Sequence, residues 1–156
     1  SLRAAVEVTE DVVARKLFQL EIGVYASKDY LEKTAPMAGP GGAGLTWIGT
    51  PTKGAPERWM QRSPFPNATL RHEVSDGQMR VRLVNLSVGM SHLPTLFEPV
   101  FPNLRRMPGT EVSPGPSLWL RLHSDLRRTV RVRRFVDFLT EEMRALHKAG
   151  KHGPLS

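Results

Sequence analysis

Few side chains in this sequence have the types and spacing that catalysis requires. The run His123-Ser124-Asp125 contains the three residue types of a serine-hydrolase triad. Adjacent residues of a strand or turn point in different directions, whereas a triad needs members brought together from separate elements and donors for the oxyanion. We therefore interpret this run as a polar turn, and the sequence predicts no catalytic residue and no enzyme.

Metal and phosphate sites are equally hard to build from this composition. The chain has five histidines and no cysteine, so thiolate metal sites, disulfides and cysteine nucleophiles are excluded. His147 and His152 share the C-terminal region, but no carboxylate is spaced to join them. The run Gly39–Gly44 is rich in glycine, but Pro40 removes an N–H donor and no helix start follows, as a phosphate cradle requires. We expect no metal and no cofactor.

The charge balance is the strongest compositional signal. Among 156 residues there are 22 Lys and Arg and 15 Asp and Glu, which gives a net charge of +7. A basic chain can bind nucleic acid, but the aromatic residues are not interleaved with the arginine-rich segment 121–148 as a single-strand-binding surface needs. A solvated helix face is the simpler interpretation, and a nucleic-acid-binding protein stays open as an alternative.

Hydropathy excludes a membrane span, and the start of the chain carries no secretion signal. The longest uncharged run, 34–52, is interrupted by glycines and prolines, and 40% of all residues are hydrophobic, as in a folded domain. The chain begins at Ser1, and no basic segment followed by an apolar stretch opens it. We expect a cytoplasmic protein with no membrane partner, whose sequence is processed or incomplete at its N-terminus.

Strands that alternate with helices predict an α/β fold. Apolar or alternating runs indicate strands at 4–8, 21–26, 45–49, 68–74, 90–93 and 117–122. Residues 12–17 are predicted as a linking piece, and the Pro- and Gly-rich stretches 36–44 and 108–116 as loops. Short helical turns are expected at 57–61 and 96–97.

Three further helices have recognisable ends or faces. Ser27 and Asp76 are predicted N-cap residues, and Gly89 is expected to take the left-handed conformation that ends the second helix. In that helix Met79, Leu83 and Leu86 recur at spacings of four and three, with Val84 and Val88 beside them. A long amphipathic helix is predicted at 130–147. Its apolar stripe consists of Val132, Phe135, Val136, Leu139, Met143 and Leu146.

Three ordered segments resemble one family of proteins. The octapeptide SVGMSHLP at 87–94 resembles the G-x-G-I-x-x-L-P signature of the effector-binding domain of LysR-type transcriptional regulators, although it has a single glycine. Residues 12–31 are similar to the family's crossover into its second lobe, and residues 118–139 to its terminal strand and helix. The order and spacing agree over almost the whole chain.

The resemblance implies an α/β, two-lobed fold of the periplasmic-binding-protein-like type 2. Lobe one would be formed by 1–19 and 98–148, lobe two by 20–97, and a flexible tail by 149–156. Because the family has a helix-turn-helix domain and further lobe-one elements before these segments, the resemblance implies a complete lobe two, a partial lobe one and a truncated N-terminus. Lobe one would then leave part of its apolar helix stripe uncovered.

The resemblance also implies a function. A small-molecule effector would bind in the cleft between the lobes, and a homo-oligomer would control transcription, touching DNA only through the missing helix-turn-helix domain. The ligand-binding positions carried over from the family are Thr9, Thr50, Met90 and Ser91.

The identity of the effector stays open at this point. A positive charge beside the cleft would favour a carboxylate, but the sequence does not place Arg71, Arg80 or Arg82 there. A stand-alone or periplasmic solute-binding protein of the same fold is the alternative function.

Overall fold

Two compact units make up the chain, and each is assembled from segments that are distant in sequence. The first unit consists of Ser1–Ile22, Pro94–Pro99 and Ser113–Ser156, and the second of Gly23–Leu93 and Val100–Val112. Lobe two is predicted to end at residue 97, whereas the second unit also takes in Val100–Val112, because a strand in that segment pairs within the unit. The division into lobes stays a prediction.

A computed structural model of the chain describes residues 2–3, 12–51, 57–123 and 130–152. The strands are β1 (Leu2–Arg3), β2 (Val12–Ser27), β3 (Thr46–Gly49), β4 (Thr69–Glu73), β5 (Ser91–Pro94), β6 (Leu104–Arg106) and β7 (Ser113–His123). The helices are α1 (Lys28–Lys33), α2 (Glu57–Arg62), α3 (Gly77–Asn85) and α4 (Val130–His152), with 3-10 turns at Ala35–Met37, Pro40–Gly42 and Thr95–Phe97. The strand predicted at 4–8 lies outside the described residues.

The first unit is an antiparallel sheet covered by one long helix. β7 lies between β1 and β2, so segments that are far apart in the chain share one sheet. α4 packs on this sheet through Leu17, Leu120 and Val136. Burial of each such side chain contributes roughly 1.5–3 kcal/mol, which is the main force that holds α4 in place.

β2 is much longer than the sequence pattern predicts. Residues 12–17, predicted as a linking piece, belong to this strand and pair with β7, so that prediction is wrong. The register shifts after Lys16 and again after Gln19. Such irregularities move side chains to the other face, and Leu17 and Leu20 are both buried although they lie three positions apart. The strand therefore lacks the strict alternation that identifies one in a sequence.

The two predicted loops are only partly irregular. The stretch 36–44 contains two short 3-10 turns, and β7 begins at Ser113, inside the predicted loop 108–116. β6 was not predicted, because a strand of three residues is too short for a period to show. The helical turns predicted at 57–61 and 96–97 are confirmed.

The second unit surrounds short strands with helices. β3 and β4 pair in parallel, Met90 bridges to Trp47 of β3, and β6 pairs with the end of β2. β4 is mostly exposed and, among the described strands, pairs with β3 alone, as the alternation of apolar and polar residues at 68–74 predicts for a half-exposed or edge strand. The core of this unit contains Val24, Ala26, Tyr30, Leu45, Trp47, Ala68, Met90 and Met107.

Both predicted N-caps are confirmed. The Ser27 hydroxyl oxygen accepts the N–H of Tyr30 at 3.0 Å, and the Asp76 carboxylate accepts the N–H of Gln78 at 2.9 Å. Each satisfies a backbone donor that the first turn of its helix leaves free.

The buried face of α3 agrees only in part with the predicted apolar periodicity. Val81 and Val84 are buried, whereas Met79 and Leu86 are 49% and 72% exposed. Both sets recur at helical spacing, so the periodicity of the sequence did not distinguish them.

The end of α3 also differs from the prediction. Ser87, not Gly89, takes the left-handed conformation, with φ of 66°, and Val88 N–H donates to the Leu83 carbonyl oxygen at 3.1 Å, as in a Schellman motif. Gly89 is required for another reason. A Cβ at this position would lie 2.7 Å from the carbonyl oxygen of Thr46, because the backbone passes close to β3.

The predicted helix 130–147 is confirmed and continues to His152, so it includes the first residues of the tail predicted as flexible. Val136 is buried, but Phe135 and Phe138 are 58% and 61% exposed, so Phe135 does not belong to the inward stripe. The side chain of Val132 lies outside the described part of the chain. Among the described residues, no helix combines the length and apolarity needed to cross a membrane.

Candidate ligand pocket

A pocket of ≈ 290 Å³ lies entirely within the second unit. It forms where β3 ends and the chain continues into Thr50, beside α2, α3 and β5. Its lining residues are Ile48, Gly49, Thr50, Trp59, Arg80, Ser91 and His92. The carboxyl end of a strand is a common place for a ligand to approach an α/β sheet.

Three aromatic rings pack together at this pocket. The imidazole of His92 stacks on the buried indole of Trp47, with ring centroids 4.9 Å apart and planes 5° from parallel. Trp59 meets both rings edge-on, with centroids 5.1 Å from Trp47 and 5.5 Å from His92. Because each such pair contributes about 0.5–1.5 kcal/mol beyond area burial, the aromatic wall is held in one arrangement.

Hydrogen bonds and a glycine shape the backbone beside this wall. The buried hydroxyl of Ser91 donates to the carbonyl oxygen of Ile48 at 2.6 Å, and Ile48 N–H donates to the carbonyl oxygen of Met90 at 2.8 Å. A Cβ at Gly49 would lie 3.3 Å from Cζ2 of Trp59, so the glycine leaves room for the indole. These contacts join β3 to β5 at the pocket.

Arg80 brings a positive charge to the pocket from α3. Its Nη1 donates to the carbonyl oxygens of Val74 and Ser75 at 3.2 Å and 3.3 Å. Its Nε is buried and has no hydrogen-bond partner within the described part of the chain. Burial lowers the pKa of the guanidinium below its ordinary value, and nearby Asp76 acts in the opposite direction. Arg80 nevertheless keeps its charge, because guanidinium is not deprotonated in proteins.

The setting of His92 favours its neutral form. Burial of the ring against the two indoles lowers its pKa below the ordinary value of 6.5, and the positive charge of Arg80 acts in the same direction. The residue still keeps an exposed edge. Among the lining residues, Arg80 therefore carries the net charge.

Two of the four predicted ligand-binding residues line the pocket. Thr50 and Ser91 line the pocket, and Thr50 is exposed. Met90 does not line it, because its side chain is fully buried in the core. Thr9 lies outside the described residues. A ligand-binding role for these four positions stays a prediction.

Sequence reasoning did not identify Trp59, Arg80 or His92 as pocket residues. The sequence places Arg80 one helical turn after the predicted N-cap Asp76. The sequence does not show that α3 packs with this turn against the end of β3.

Comparison with known proteins identifies the family. The model of the LysR substrate binding domain matches residues 2–144. No curated protein sequence matches the chain. The fold predicted from the resemblance, an α/β periplasmic-binding-protein-like domain of type 2, is confirmed by this match and by the solved structures.

Several of the similar solved structures are LysR-type regulators. The regulatory domain of CrgA from Neisseria meningitidis has a TM-score of 0.64 and 24% identity, over 91% of this chain and 74% of that chain. A further CrgA structure has a TM-score of 0.63 and 26% identity, over 91% of this chain and 51% of that one. The effector domain of AmpR from Pseudomonas aeruginosa has a TM-score of 0.62 and 18% identity, over 90% and 70% of the two chains. The chain belongs to the LysR substrate-binding domain family.

Proposed function

We propose that the chain is the effector-sensing portion of a LysR-type transcriptional regulator and that it binds a small molecule in the pocket described above. The observation that carries the proposal is the pocket itself, whose described lining residues combine aromatic walls with one guanidinium in a domain of this family. Largely apolar concave sites with a few placed polar groups are the usual form of small-molecule sites.

Binding would act through the elements that the pocket joins. A ligand held by Trp59, Arg80 and His92 contacts α2, α3 and β5 at once. The bound ligand favours the conformation in which these three elements stay in contact with it. If that conformation has a different affinity for DNA, ligand binding changes transcription. A helix-turn-helix domain of the regulator would contact DNA, and a homo-oligomer would carry the bias to it in the cytoplasm. The process makes and breaks no covalent bond.

The test is RNA sequencing of a bacterium that carries the gene for this chain. Three strains are compared with the parent: a deletion, a Thr50→Trp variant and a Met37→Gln variant. Thr50 lines the pocket from an exposed position, so a large side chain there fills the pocket without disturbing the core. Met37 is 82% exposed in the same unit and does not line the pocket, which makes it the matched control.

We expect the deletion to change the transcript levels of a discrete set of genes. Thr50→Trp should hold the same genes at one level across growth conditions that change them in the parent, and Met37→Gln should behave as the parent does. Unchanged transcripts in the deletion strain would show that the chain does not regulate transcription.

A further inference from the structure

We propose that the pocket of the second unit selects a small organic anion, namely a carboxylate on a compact apolar body, with Arg80 as its counter-charge. This inference rests on the proposed function, since it names the chemical class of the effector. It uses the position of Arg80, which the sequence alone did not supply.

The charge of the lining determines the sign of the ligand. Arg80 is charged, the setting of His92 favours its neutral form, and none of the lining residues that the structure describes is acidic. The acid whose charge acts on Arg80 is Asp76, which is exposed and already caps α3 by accepting Gln78 N–H at 2.9 Å. An ammonium ligand would therefore meet a like charge, whereas a carboxylate would meet an opposite one.

The state of Arg80 makes an anion more favourable than a neutral ligand. Two backbone carbonyls hold Nη1 and fix the head group, while Nε is buried without a partner in the described part of the chain. Since no carboxylate among the described residues forms an ion pair with Arg80, its partly buried guanidinium lacks the charge-assisted bonds that normally compensate burial. A ligand carboxylate supplies that compensation, and an amide of the same shape does not.

The walls and the volume of the pocket determine the size and polarity of the remaining part of the ligand. Ile48, Trp59 and His92 offer an aliphatic group and two aromatic rings. The volume of ≈ 290 Å³ is at the lower end of ligand pockets, which suits one ring or a short branched chain. A bare inorganic anion would leave these apolar walls unfilled, so sulfate should bind much more weakly than an organic carboxylate.

Calorimetric titration of the 156-residue chain tests the inference with matched probes. The probes are benzoate, phenylacetate and 3-methylbutanoate, each with its neutral amide, together with benzylamine and sulfate. Arg80→Gln removes the charge, and Arg80→Lys keeps it if the first variant is unstable. Arg82→Gln is the matched control, because Arg82 is an exposed arginine on the same helix that does not line the pocket.

We expect at least one of the three carboxylates to bind, with its amide, benzylamine and sulfate each weaker by about tenfold or more. Arg80→Gln should weaken the carboxylate by about tenfold, which corresponds to about 1.4 kcal/mol. Arg80→Lys should weaken it less, and Arg82→Gln should leave it unchanged.

Three results would overturn the inference: an amide that binds as tightly as its acid, an unchanged affinity in Arg80→Gln, or no binding by any of the carboxylates. Failure here and failure of the proposed function are distinguishable. A regulator with a neutral effector would pass the RNA-sequencing test and fail this one, and a carboxylate-binding protein with no role in transcription would do the reverse.

Discussion

The hydroxyl oxygens of Ser27 and Ser87 lie 2.6 Å apart, and their hydrogen bond joins the start of α1 to the end of α3. The Ser27 oxygen also accepts Tyr30 N–H at 3.0 Å, and either of the two hydroxyls can donate to the other. Ser87 sits in a left-handed conformation that ordinarily favours glycine. The backbone strain at Ser87 is therefore offset by a hydrogen bond that connects the two helices.

That relationship predicts opposite effects for two substitutions at one position. Ser87→Ala keeps the left-handed strain and loses the hydrogen bond, so it should lower the free energy of unfolding by about 1 kcal/mol. Ser87→Gly loses the same bond but relieves the strain, which is worth roughly 1–2 kcal/mol. Urea unfolding should therefore rank the glycine variant above the alanine variant. The reverse order would mean that the backbone at Ser87 is not left-handed.

Gly89 provides a second test of the backbone geometry. In Gly89→Ala the new Cβ would lie 2.7 Å from the Thr46 carbonyl oxygen, so β3 and the segment before β5 must move apart. Overpacking of this kind typically costs about 1–3 kcal/mol. Gly77→Ala is the control, because its Cβ would meet only the end of the Arg80 side chain at 3.8 Å. Equal urea midpoints for the two variants would contradict the close approach of Gly89 to β3.

Stability should depend on pH through His92. The pKa of His92 in the folded chain is below the ordinary value of 6.5, so below that value the unfolded chain binds a proton more readily than the folded one. The contribution of His92 to the free energy of unfolding is therefore fully present above 6.5 and is lost as the pH falls towards the folded pKa. The facing groups are Arg80 of α3, which is charged, and the indoles of Trp47 and Trp59, which are not.

His92→Phe keeps the stacking and removes the titration. Urea midpoints measured between about pH 8 and about pH 5 should fall less steeply for this variant than for the parent chain. His72→Phe is the control, because His72 is exposed on β4 and does not line the pocket. If His92→Phe leaves the slope of the urea midpoint against pH unchanged, another group takes up the proton.

Two neighbours on α4 should differ sharply in their effect on stability. Asp137 accepts a hydrogen bond from Arg15 Nη1 at 2.9 Å, but both side chains are more than half exposed, so Asp137→Ala should cost less than about 1 kcal/mol. Val136 is buried against Leu17 and Leu120, and Val136→Ala should cost about 2 kcal/mol. A larger loss for Asp137→Ala would mean that the ion pair, not the apolar core, holds α4 on the sheet.

The features predicted correctly from the sequence depend on residues close together in the chain. The N-caps at Ser27 and Asp76 follow from one side chain and the turn after it, and α4 follows from a long apolar period. The family resemblance through the segment 87–94 fixed the fold class, because an ordered motif carries more information than any one helix or strand.

The features that were missed depend on distant contacts. β2 is irregular because β7, about a hundred residues later, imposes register shifts on it. The buried face of α3 is chosen by what it packs against, since Val81 and Met79 belong to two faces with equal helical spacing. Thr50 was carried over from the family resemblance and lines the pocket, whereas Arg80 reaches the pocket only through the packing of α3.

The most direct test of ligand binding in this pocket is an NMR titration of the indole N–H signals of the three tryptophans with benzoate, phenylacetate and 3-methylbutanoate in turn. Trp59 lines the pocket, Trp47 lies in the core beside it, and Trp119 is in β7 of the first unit. We predict that at least one of the three carboxylates moves the Trp59 signal in a saturable way and leaves the Trp119 signal in place. A Trp59 signal that none of the three moves, or equal shifts at Trp59 and Trp119, would contradict carboxylate binding in this pocket.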